Sequence, residues 1–141
     1  MSRKATDDES RIELIKELFA ANARDELESL LESAQPDLIL DWSHSRGVRA
    51  GVYEGREAAL DFFAAFVDVW DELEYFHDEF IPLGETIVRV GGMRAKGRGS
   101  GVEITAKGAQ VFEFRDGLLA RMTLYQAKDE ALAAVGERPE R

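Results

Sequence analysis

The stretch from Val102 to Gln126 constrains the fold most, because it contains two runs in which apolar and polar residues alternate. Arg115, Asp116 and Gly117 join the two runs, and an Asp-Gly pair in this setting is a strong signal for a β-hairpin. The sequence therefore predicts two adjacent antiparallel strands whose side chains alternate between the two faces of a sheet.

The length of the hairpin loop decides which side chains share a face. A two-residue loop would place the phenylalanines of the first strand beside Arg121 and Thr123. A three-residue loop with Gly117 in the left-handed conformation separates apolar from polar residues, so we predict this loop. The predicted apolar face, which other elements must cover, carries Gln110, Phe112, Phe114, Leu118, Ala120, Met122, Leu124 and Gln126.

Three segments show the spacing of amphipathic helices. We predict a first helix over residues 10–23 and a second that begins at Asp25, with Glu28 in a capping-box-like position, and ends at Pro36. The third and strongest pattern covers residues 56–73. Its apolar side, the predicted cover of the sheet, consists of Ala59, Phe62, Phe63, Phe66, Val67, Trp70 and Leu73.

The remaining apolar segments are predicted strands, and a short helix is predicted at residues 129–135. The strands cover residues 37–43, 74–83, 86–98, 102–114 and 118–127. Short connections between the last four predict neighbouring antiparallel strands. The fold class is therefore α+β, with a curved antiparallel sheet wrapped around the long helix and two helices at the N-terminus. We expect one domain at residues 10–136, flanked by a disordered tail at residues 1–9 and a C-terminal tail at residues 137–141.

Composition argues against several classes of function. With 28 acidic against 18 basic residues and a net charge of −10, the chain is not suited to bind nucleic acid or an anionic membrane. It has no cysteine, and its two histidines and its carboxylates do not have the spacing of a metal site. There is no signal-peptide pattern and no membrane-spanning apolar run. We expect a cytoplasmic protein with no metal and no cofactor.

Short motifs spread over the chain give a further indication. They are Trp42 after an acidic strand residue, GVYEGRE at 51–57, WDE at 70–72, RGSG at 98–101, RDG at 115–117, and Tyr125 followed by DEAL at 129–132. Over residues 11–136 the chain resembles the SnoaL-like branch of the superfamily named after nuclear transport factor two. The resemblance implies an α+β cone with a deep apolar pocket, and a homodimer formed through the sheet. Members include polyketide cyclases, ketosteroid isomerases, limonene epoxide hydrolases and ligand-binding proteins.

The resemblance directs attention to three candidate catalytic residues. His44 follows the first strand, where ketosteroid isomerases carry a proton-shuttling carboxylate, and imidazole titrates near neutral pH. The alternative is a loop histidine at the pocket rim. Gln110 stands where those isomerases hold an acid that donates to the oxyanion, and an amide also donates. The alternative is a buried amide paired with a neighbouring strand. Tyr53 is a hydroxyl that points into the pocket or caps it.

Seven further residues are candidate ligand contacts, although core packing is the simpler interpretation for most of them. They are Trp42, Phe63, Phe66, Trp70, Phe112, Met122 and Gln126. Arg94, Lys96 and Arg98 alternate along one strand, which favours a solvated edge with surface ion pairs over a cationic rim for an acidic ligand. His77 is predicted to be exposed, and the Gly91-Gly92 pair suggests a bulge or strong coiling.

Two functions follow from these observations. The first is a cofactor-free isomerase or cyclase that acts by acid–base chemistry on a small cyclic ketone-like substrate. His44 would move the proton, and Gln110 with Tyr53 would hold the oxyanion. The second is a non-catalytic protein that binds a small apolar or cyclic organic ligand. A dimerisation module, in which side chains of the chain itself fill the pocket, is a third interpretation.

Overall fold

The computed structural model describes residues 4–45 and 49–136. In chain order it contains α1 (Asp8–Ala23), a short 3₁₀ helix (Leu30–Ser33), β1 (Ala34–Asp41), β2 (Val52–Glu54), α2 (Arg56–Asp68), β3 (Trp70–Leu83), β4 (Thr86–Gly97), β5 (Glu103–Arg115), β6 (Leu118–Tyr125) and α3 (Lys128–Gly136). None of these helices is long and apolar enough to cross a membrane. The predicted C-terminal tail, residues 137–141, lies outside the described ranges, as do residues 1–3.

The six strands form one curved sheet in the order β2-β1-β6-β5-β4-β3. The pairings of β3, β4, β5 and β6 are antiparallel, as the short connections predicted, and β2 is antiparallel to β1. β1 runs parallel to β6. The α+β class is confirmed, but the prediction of a wholly antiparallel sheet is wrong in this pairing. A long connection separates β1 from β6, so no tight turn fixes their relative direction.

The second helix predicted at Asp25 does not form. Asp25 has a φ of +56°, and its N–H donates to the carbonyl of Asn22. The N–H of Glu26 donates to the carbonyl of Ala21. These two bonds form a Schellman motif, which closes the C-terminus of α1. Asp25 therefore ends one helix instead of starting another, and only the 3₁₀ turn follows before β1.

Helix α2 is shorter than predicted, because it ends at Asp68 and not at Leu73. β3 begins at Trp70, since its first residues pair with the last residues of β4. The N–H of Arg98 donates to the carbonyl of Val69, and the Arg98 guanidinium donates to that of Asp68. Strand pairing and these two bonds satisfy backbone groups that a longer helix would otherwise have paired internally.

The β5–β6 hairpin has a two-residue loop, so the predicted three-residue loop is wrong. Asp116 and Gly117 have φ values of +56° and +79°, as a type I′ turn requires. Arg115 pairs with Leu118 on either side of this loop. Type I′ turns match the right-handed twist of the strands they join, which favours this loop over the longer one.

A bulge in β6 corrects the register that the short loop would otherwise impose. Leu119 pairs with Phe114, the register then shifts, and Ala120 has no partner in the ladder. Leu119 is therefore the residue that joins Phe114 in the core, where Leu118 and Ala120 were predicted. Beyond the bulge the predicted face is restored, with the pairs Phe112–Met122 and Gln110–Leu124.

The main core lies between the inner face of the sheet and helices α1 and α2. Its buried side chains include Leu14, Ile15, Leu40, Phe62, Ile87 and Phe112. A smaller cluster on the outer face, beneath α3, contains Val88, Ala109, Val111, Tyr125 and Ala131. Ala5, in the predicted N-terminal tail, is fully buried and donates to the carbonyl of Gly117 at 2.7 Å.

Candidate functional site

A cavity of about 280 Å³ lies between the inner face of the sheet and helices α1 and α2. Most of its wall is apolar, with contributions from Leu18, Leu31, Leu40, Phe63, Phe112 and Met122. Its volume is close to the lower end of the range for ligand pockets, about 300 Å³. A dry cavity of about 150 Å³ holds one benzene molecule, so this cavity has room for a molecule of about two rings.

The wall of the cavity is polar where β3, β4 and β5 meet α1. Arg89 and Gln110 lie opposite each other in the β4–β5 ladder, and Nη1 of Arg89 donates to Oε1 of Gln110 at 2.7 Å. Tyr75 from β3 donates its hydroxyl hydrogen to Oδ1 of Asn22 on α1. All four side chains line the cavity, and we refer to Asn22, Tyr75, Arg89 and Gln110 as the polar cluster.

The guanidinium group of Arg89 is surrounded by neutral groups. The residue is 1% exposed, and its Cζ lies 4.2 Å from the centre of the Phe19 ring. Its Nε donates to Nδ1 of His77 at 3.0 Å, and its Nη2 donates to the carbonyls of Phe76 and Gly92 at 2.7 and 3.2 Å. Within residues 4–45 and 49–136, no carboxylate lies within 4.0 Å of this group.

Glycine at position 91 makes room for this arrangement. A Cβ atom there would lie 2.3 Å from the carbonyl oxygen of Phe76 and 2.8 Å from Nη2 of Arg89. Both distances are far below van der Waals contact. Gly91 therefore lets the guanidinium group fold back over β4 and reach β3.

Burial shifts the pKa values of the groups around Arg89. Burial lowers the pKa of Arg89 to about 10, so the guanidinium group still carries its charge at neutral pH. Burial, and then the charges of Arg89 and Lys16, lower the pKa of His77 to about 4. Burial raises the pKa of Tyr75 above its usual value. At neutral pH, His77 and Tyr75 are thus uncharged, and Nδ1 of His77 is the nitrogen that accepts a hydrogen bond.

The three predicted catalytic residues do not share one location. Gln110 is buried and lines the cavity. The ring of His44 is exposed and stacks on Tyr125 with 4.7 Å between ring centres, outside the cavity wall. Tyr53 donates to the carbonyl of Arg49 at 2.5 Å and packs against α2, also outside the cavity wall. Their catalytic roles remain predictions.

One hydrogen bond links His44 to the cavity. Nε2 of Gln126, a residue of the cavity wall, donates to the backbone carbonyl of His44 at 3.0 Å. His44 therefore lies next to the rim, although its imidazole packs towards the outer side of the sheet. Residues 46–48, which follow this loop segment, are outside the described ranges.

Six of the seven predicted ligand contacts line the cavity. They are Trp42, Phe63, Phe66, Phe112, Met122 and Gln126. Trp70 does not line it, because β3 begins at this residue and its ring packs edge-on against Phe66 at 6.2 Å. Whether any of these residues contacts a ligand remains a prediction.

Arg89 is the main residue that the sequence analysis missed. The signal that identifies it is a single cation inside the β-branched run Ile87-Val-Arg-Val90, followed directly by the Gly91-Gly92 pair.

His77 was predicted to be exposed, and this prediction is wrong, because α1 covers this part of β3. The ring of Phe19 lies 5.2 Å from that of His77. No group of three or more metal-ligating side chains occurs within the described ranges.

Comparison with known proteins gives the family. The family model described as a SnoaL-like domain matches residues 15–122. No protein of curated function matches the sequence. Similar solved structures include a protein of unknown function, similar to nuclear transport factor two, from Burkholderia pseudomallei K96243. It shares 23% identity, with 86% of this chain and 94% of that chain covered and a TM-score of 0.70.

Two further structures extend the comparison. TerC co-crystallised with polyporic acid is 22% identical over 90% of this chain and 98% of that chain, with a TM-score of 0.69. A putative SnoaL-like polyketide cyclase from Jannaschia sp. CCS1 is 19% identical over 99% of both chains, with a TM-score of 0.74. At these identities the structural likeness shows the fold, and the family model carries the assignment. The chain belongs to the SnoaL-like family.

Proposed function

We propose that the chain binds a small, mostly apolar organic molecule of about two rings in the cavity between the sheet and helices α1 and α2. The observation that carries this proposal is an unfilled apolar cavity whose wall includes a buried polar cluster. Ligand sites combine these two features, since apolar walls supply affinity and a few polar groups fix orientation. The dimerisation-module interpretation requires side chains that fill the cavity, and about 280 Å³ is open.

Binding without catalysis is the function that the geometry supports best. Among the described residues, the cavity wall contains no carboxylate and no histidine. The titratable residues of the wall are Tyr75, Arg89, Lys107 and Tyr125, and the Tyr125 side chain packs in the cluster on the outer face. The polar cluster is thus rich in hydrogen-bond donors and poor in groups that accept a proton near neutral pH.

A second candidate is a cofactor-free isomerase or cyclase that acts on a small cyclic ketone-like substrate by acid–base chemistry. It is favoured by the bond from Gln126 to the carbonyl of His44, which holds the histidine next to the rim. In this mechanism His44 moves the proton, which requires its imidazole to leave the ring of Tyr125 and turn towards the cavity. Because Arg89 occupies the oxygen of Gln110, the amide nitrogen of Gln110 is the group that donates to the oxyanion. Tyr53 acts as a further hydroxyl donor in this mechanism, which requires its hydroxyl to leave the carbonyl of Arg49 and turn towards the cavity.

Structural relatives are consistent with both candidates. TerC was crystallised with polyporic acid, and the Jannaschia protein is a putative polyketide cyclase. Each statement concerns the relative and supports an organic ligand for this chain. A homodimer formed through the sheet belongs to the same proposal. Sedimentation equilibrium tests it, since a dimer has twice the mass of one chain and a monomer contradicts it.

A ligand screen tests the binding proposal. Two-ring aromatic and alicyclic compounds are screened by thermal shift, and binding is confirmed by native mass spectrometry as one molecule per chain. Phe63→Trp reduces the cavity volume and should weaken the binding of hits, because Phe63 lines the wall. Phe76→Trp is the matched control, since Phe76 is not part of the wall. The proposal is wrong if no compound binds, or if both variants bind like the wild type.

A pH profile tests the catalytic candidate. Any ligand that is also converted should be converted with a pH-dependent rate that is lost in His44→Ala. Gln110→Leu should reduce the rate more than it reduces ligand affinity, because an oxyanion donor acts mainly in the transition state. Ligands that bind to wild type and to His44→Ala equally, with no conversion of any of them, leave binding as the function.

A further inference from the structure

We propose that the ligand of this cavity carries an anionic oxygen, as a carboxylate or an ionised enol, and that Arg89 and Gln110 bind that oxygen. This inference rests on the proposed function and specifies its ligand class. It starts from the guanidinium group of Arg89, a full positive charge buried in a largely apolar wall.

No carboxylate is in contact with the charge of Arg89; the charge of Asp78 acts on it from beyond 4.0 Å, and Asp78 itself lies 3.8 Å from Nζ of Lys107. The acceptors of Arg89 are the Gln110 amide, the His77 imidazole and the carbonyls of Phe76 and Gly92. All four are neutral groups, and no ion pair with Arg89 is present in the described part of the chain. Burial of an ion is unfavourable unless an opposite charge compensates it. An anion that enters the cavity supplies this compensation.

The number of donors also leaves a position for that anion. A guanidinium group has five N–H hydrogens. Four of them are directed at the acceptors named above, and the fifth, on Nη1, has no acceptor within the described ranges. Nη1 also donates to the oxygen of Gln110, which leaves the amide nitrogen of Gln110 beside it as a second donor. Two adjacent N–H donors, one of them charged, match the oxygen of a carboxylate or an enolate.

The surroundings favour an anion over a neutral carbonyl. In a cavity with a mostly apolar wall, an electrostatic attraction is stronger than it is in bulk water. The remaining wall around the polar cluster is apolar and accommodates the ring part of the ligand. The structure thus assigns the ligand two parts, an apolar body of about two rings and one anionic oxygen at the Arg89 end.

A matched pair of compounds tests this inference. The probes are 2-naphthoate and its neutral amide, 2-naphthamide, which have the same ring system and nearly the same shape. We expect the wild type to bind naphthoate about tenfold or more tightly than naphthamide, as measured by isothermal titration calorimetry, because the anion gains a charge-assisted hydrogen bond. Equal affinities, or a preference for the amide, overturn the inference while leaving the proposed function intact.

Variants assign the preference to Arg89. Arg89→Gln should lower the affinity for naphthoate to that for naphthamide and leave the naphthamide affinity within about twofold. Arg89→Lys keeps the charge and should retain part of the preference. Arg94→Gln is the control, because Arg94 is on the same strand but not in the cavity wall, and it should retain the full preference. A preference that survives in Arg89→Gln overturns the role of Arg89.

The readout separates ligand recognition from a purely structural role. If Arg89 only holds β3 and β4 together, its substitution changes stability or the affinity for both probes equally, and the ratio of the two affinities is unchanged. If Arg89→Gln does not fold, the ratio of naphthoate affinity to naphthamide affinity in the wild type tests the anion preference, since this measurement requires no variant. If neither probe binds and the wider screen finds only neutral ligands, the anion inference is wrong but the proposed binding function stands. If nothing binds, the proposed function fails with it.

Discussion

Arg89 and Arg121 lie on opposite faces of the same sheet, and their surroundings differ in charge. On the outer face, Arg121 donates to Oδ2 of Asp41 at 2.6 Å and lies 4.0 Å from Oε2 of Glu113. On the inner face, Arg89 donates only to neutral acceptors among the described residues. The chain balances the charge of Arg121 itself, whereas the charge of Arg89 faces a cavity.

This difference separates a structural cation from a binding cation. The Asp41–Arg121 pair joins β1 to β6, the one parallel pairing of the sheet, and needs nothing from outside the chain. The Arg89 group is held in place by β3, β4 and β5, yet no carboxylate of the described residues forms an ion pair with it, and Asp78 acts on it only from beyond 4.0 Å. A buried cation that is fixed in position but not neutralised is suited to receive an anion.

The largest expected effect comes from the glycine that gives Arg89 its space. Gly91→Val should lower the free energy of unfolding by about 3 kcal/mol or prevent folding, because its Cβ would overlap with the Phe76 carbonyl and the guanidinium group. Urea denaturation followed by circular dichroism measures this. Gly108→Ala is the control with a smaller expected loss, since its nearest neighbour would lie at 3.1 Å. A Gly91→Val variant as stable as the wild type would show that Arg89 does not need this close approach.

The next effect tests the balanced pair on the outer face. Burial acts to raise the pKa of Asp41, but hydrogen bonds from Ser43 and the Arg121 charge outweigh it and lower the pKa below 3.8. A carboxyl group with a lowered folded-state pKa contributes stability above pH 3.8, and this contribution is lost as the pH falls through the folded-state value. Arg121 is 36% exposed at its side chain, so solvent weakens the pair.

Arg121→Met should therefore lower the free energy of unfolding by about 1–2 kcal/mol at neutral pH. The loss should shrink below pH 3.8, where protonation of Asp41 removes the interaction from the wild type as well. Denaturation of both proteins at neutral and acidic pH measures the difference. An equal loss at both pH values would mean that Arg121 stabilises β6 by packing and not by its charge.

Much of the fold follows from local patterns in the sequence. The hairpin after Arg115, the strands that precede it and helix α1 were predictable because short connections and regular apolar spacing determine them. The errors occur where tertiary contacts override a local pattern. Asp25 has the sequence of a helix start, but its φ of +56° closes α1. The residues after Asp68 have helical spacing, but pairing with β4 draws them into β3.

The candidate site was less predictable than the fold. Gln110 and most of the aromatic lining were identified, because they stand on the apolar faces of recognisable elements. Arg89 was missed, because alternation along β4 does not by itself show which face of the sheet a residue occupies. The register of β4 against β5, which places Arg89 opposite Gln110, decides this. His77 was misjudged for a related reason, since its burial depends on how α1 crosses β3.

A smaller effect tests whether His77 remains neutral next to Arg89. The pKa of His77 is lowered from 6.5 to about 4 by burial and by the charges of Arg89 and Lys16. Between these values the unfolded chain binds more protons than the folded chain, so stability should rise with pH from about 4 to 6.5 and be complete above 6.5. His77→Gln keeps an acceptor for Arg89 and should lose this pH dependence. Thermal unfolding at several pH values measures it, with His44→Gln as the matched histidine control.

The smallest expected effect concerns a third arginine, Arg94. This residue sharpens the comparison of Arg89 with Arg121, because it lies on the same strand as Arg89. Arg94 is 59% exposed at its side chain, pairs with Glu74 at 3.2 Å and lies over the ring of Phe76. Solvent screens this pair, so Arg94→Gln should change the free energy of unfolding by only about 0.5 kcal/mol. A loss as large as that of Arg121→Met would contradict the view that burial, and not strand position, decides the importance of each arginine. Urea denaturation of the two variants under one set of conditions makes that comparison directly.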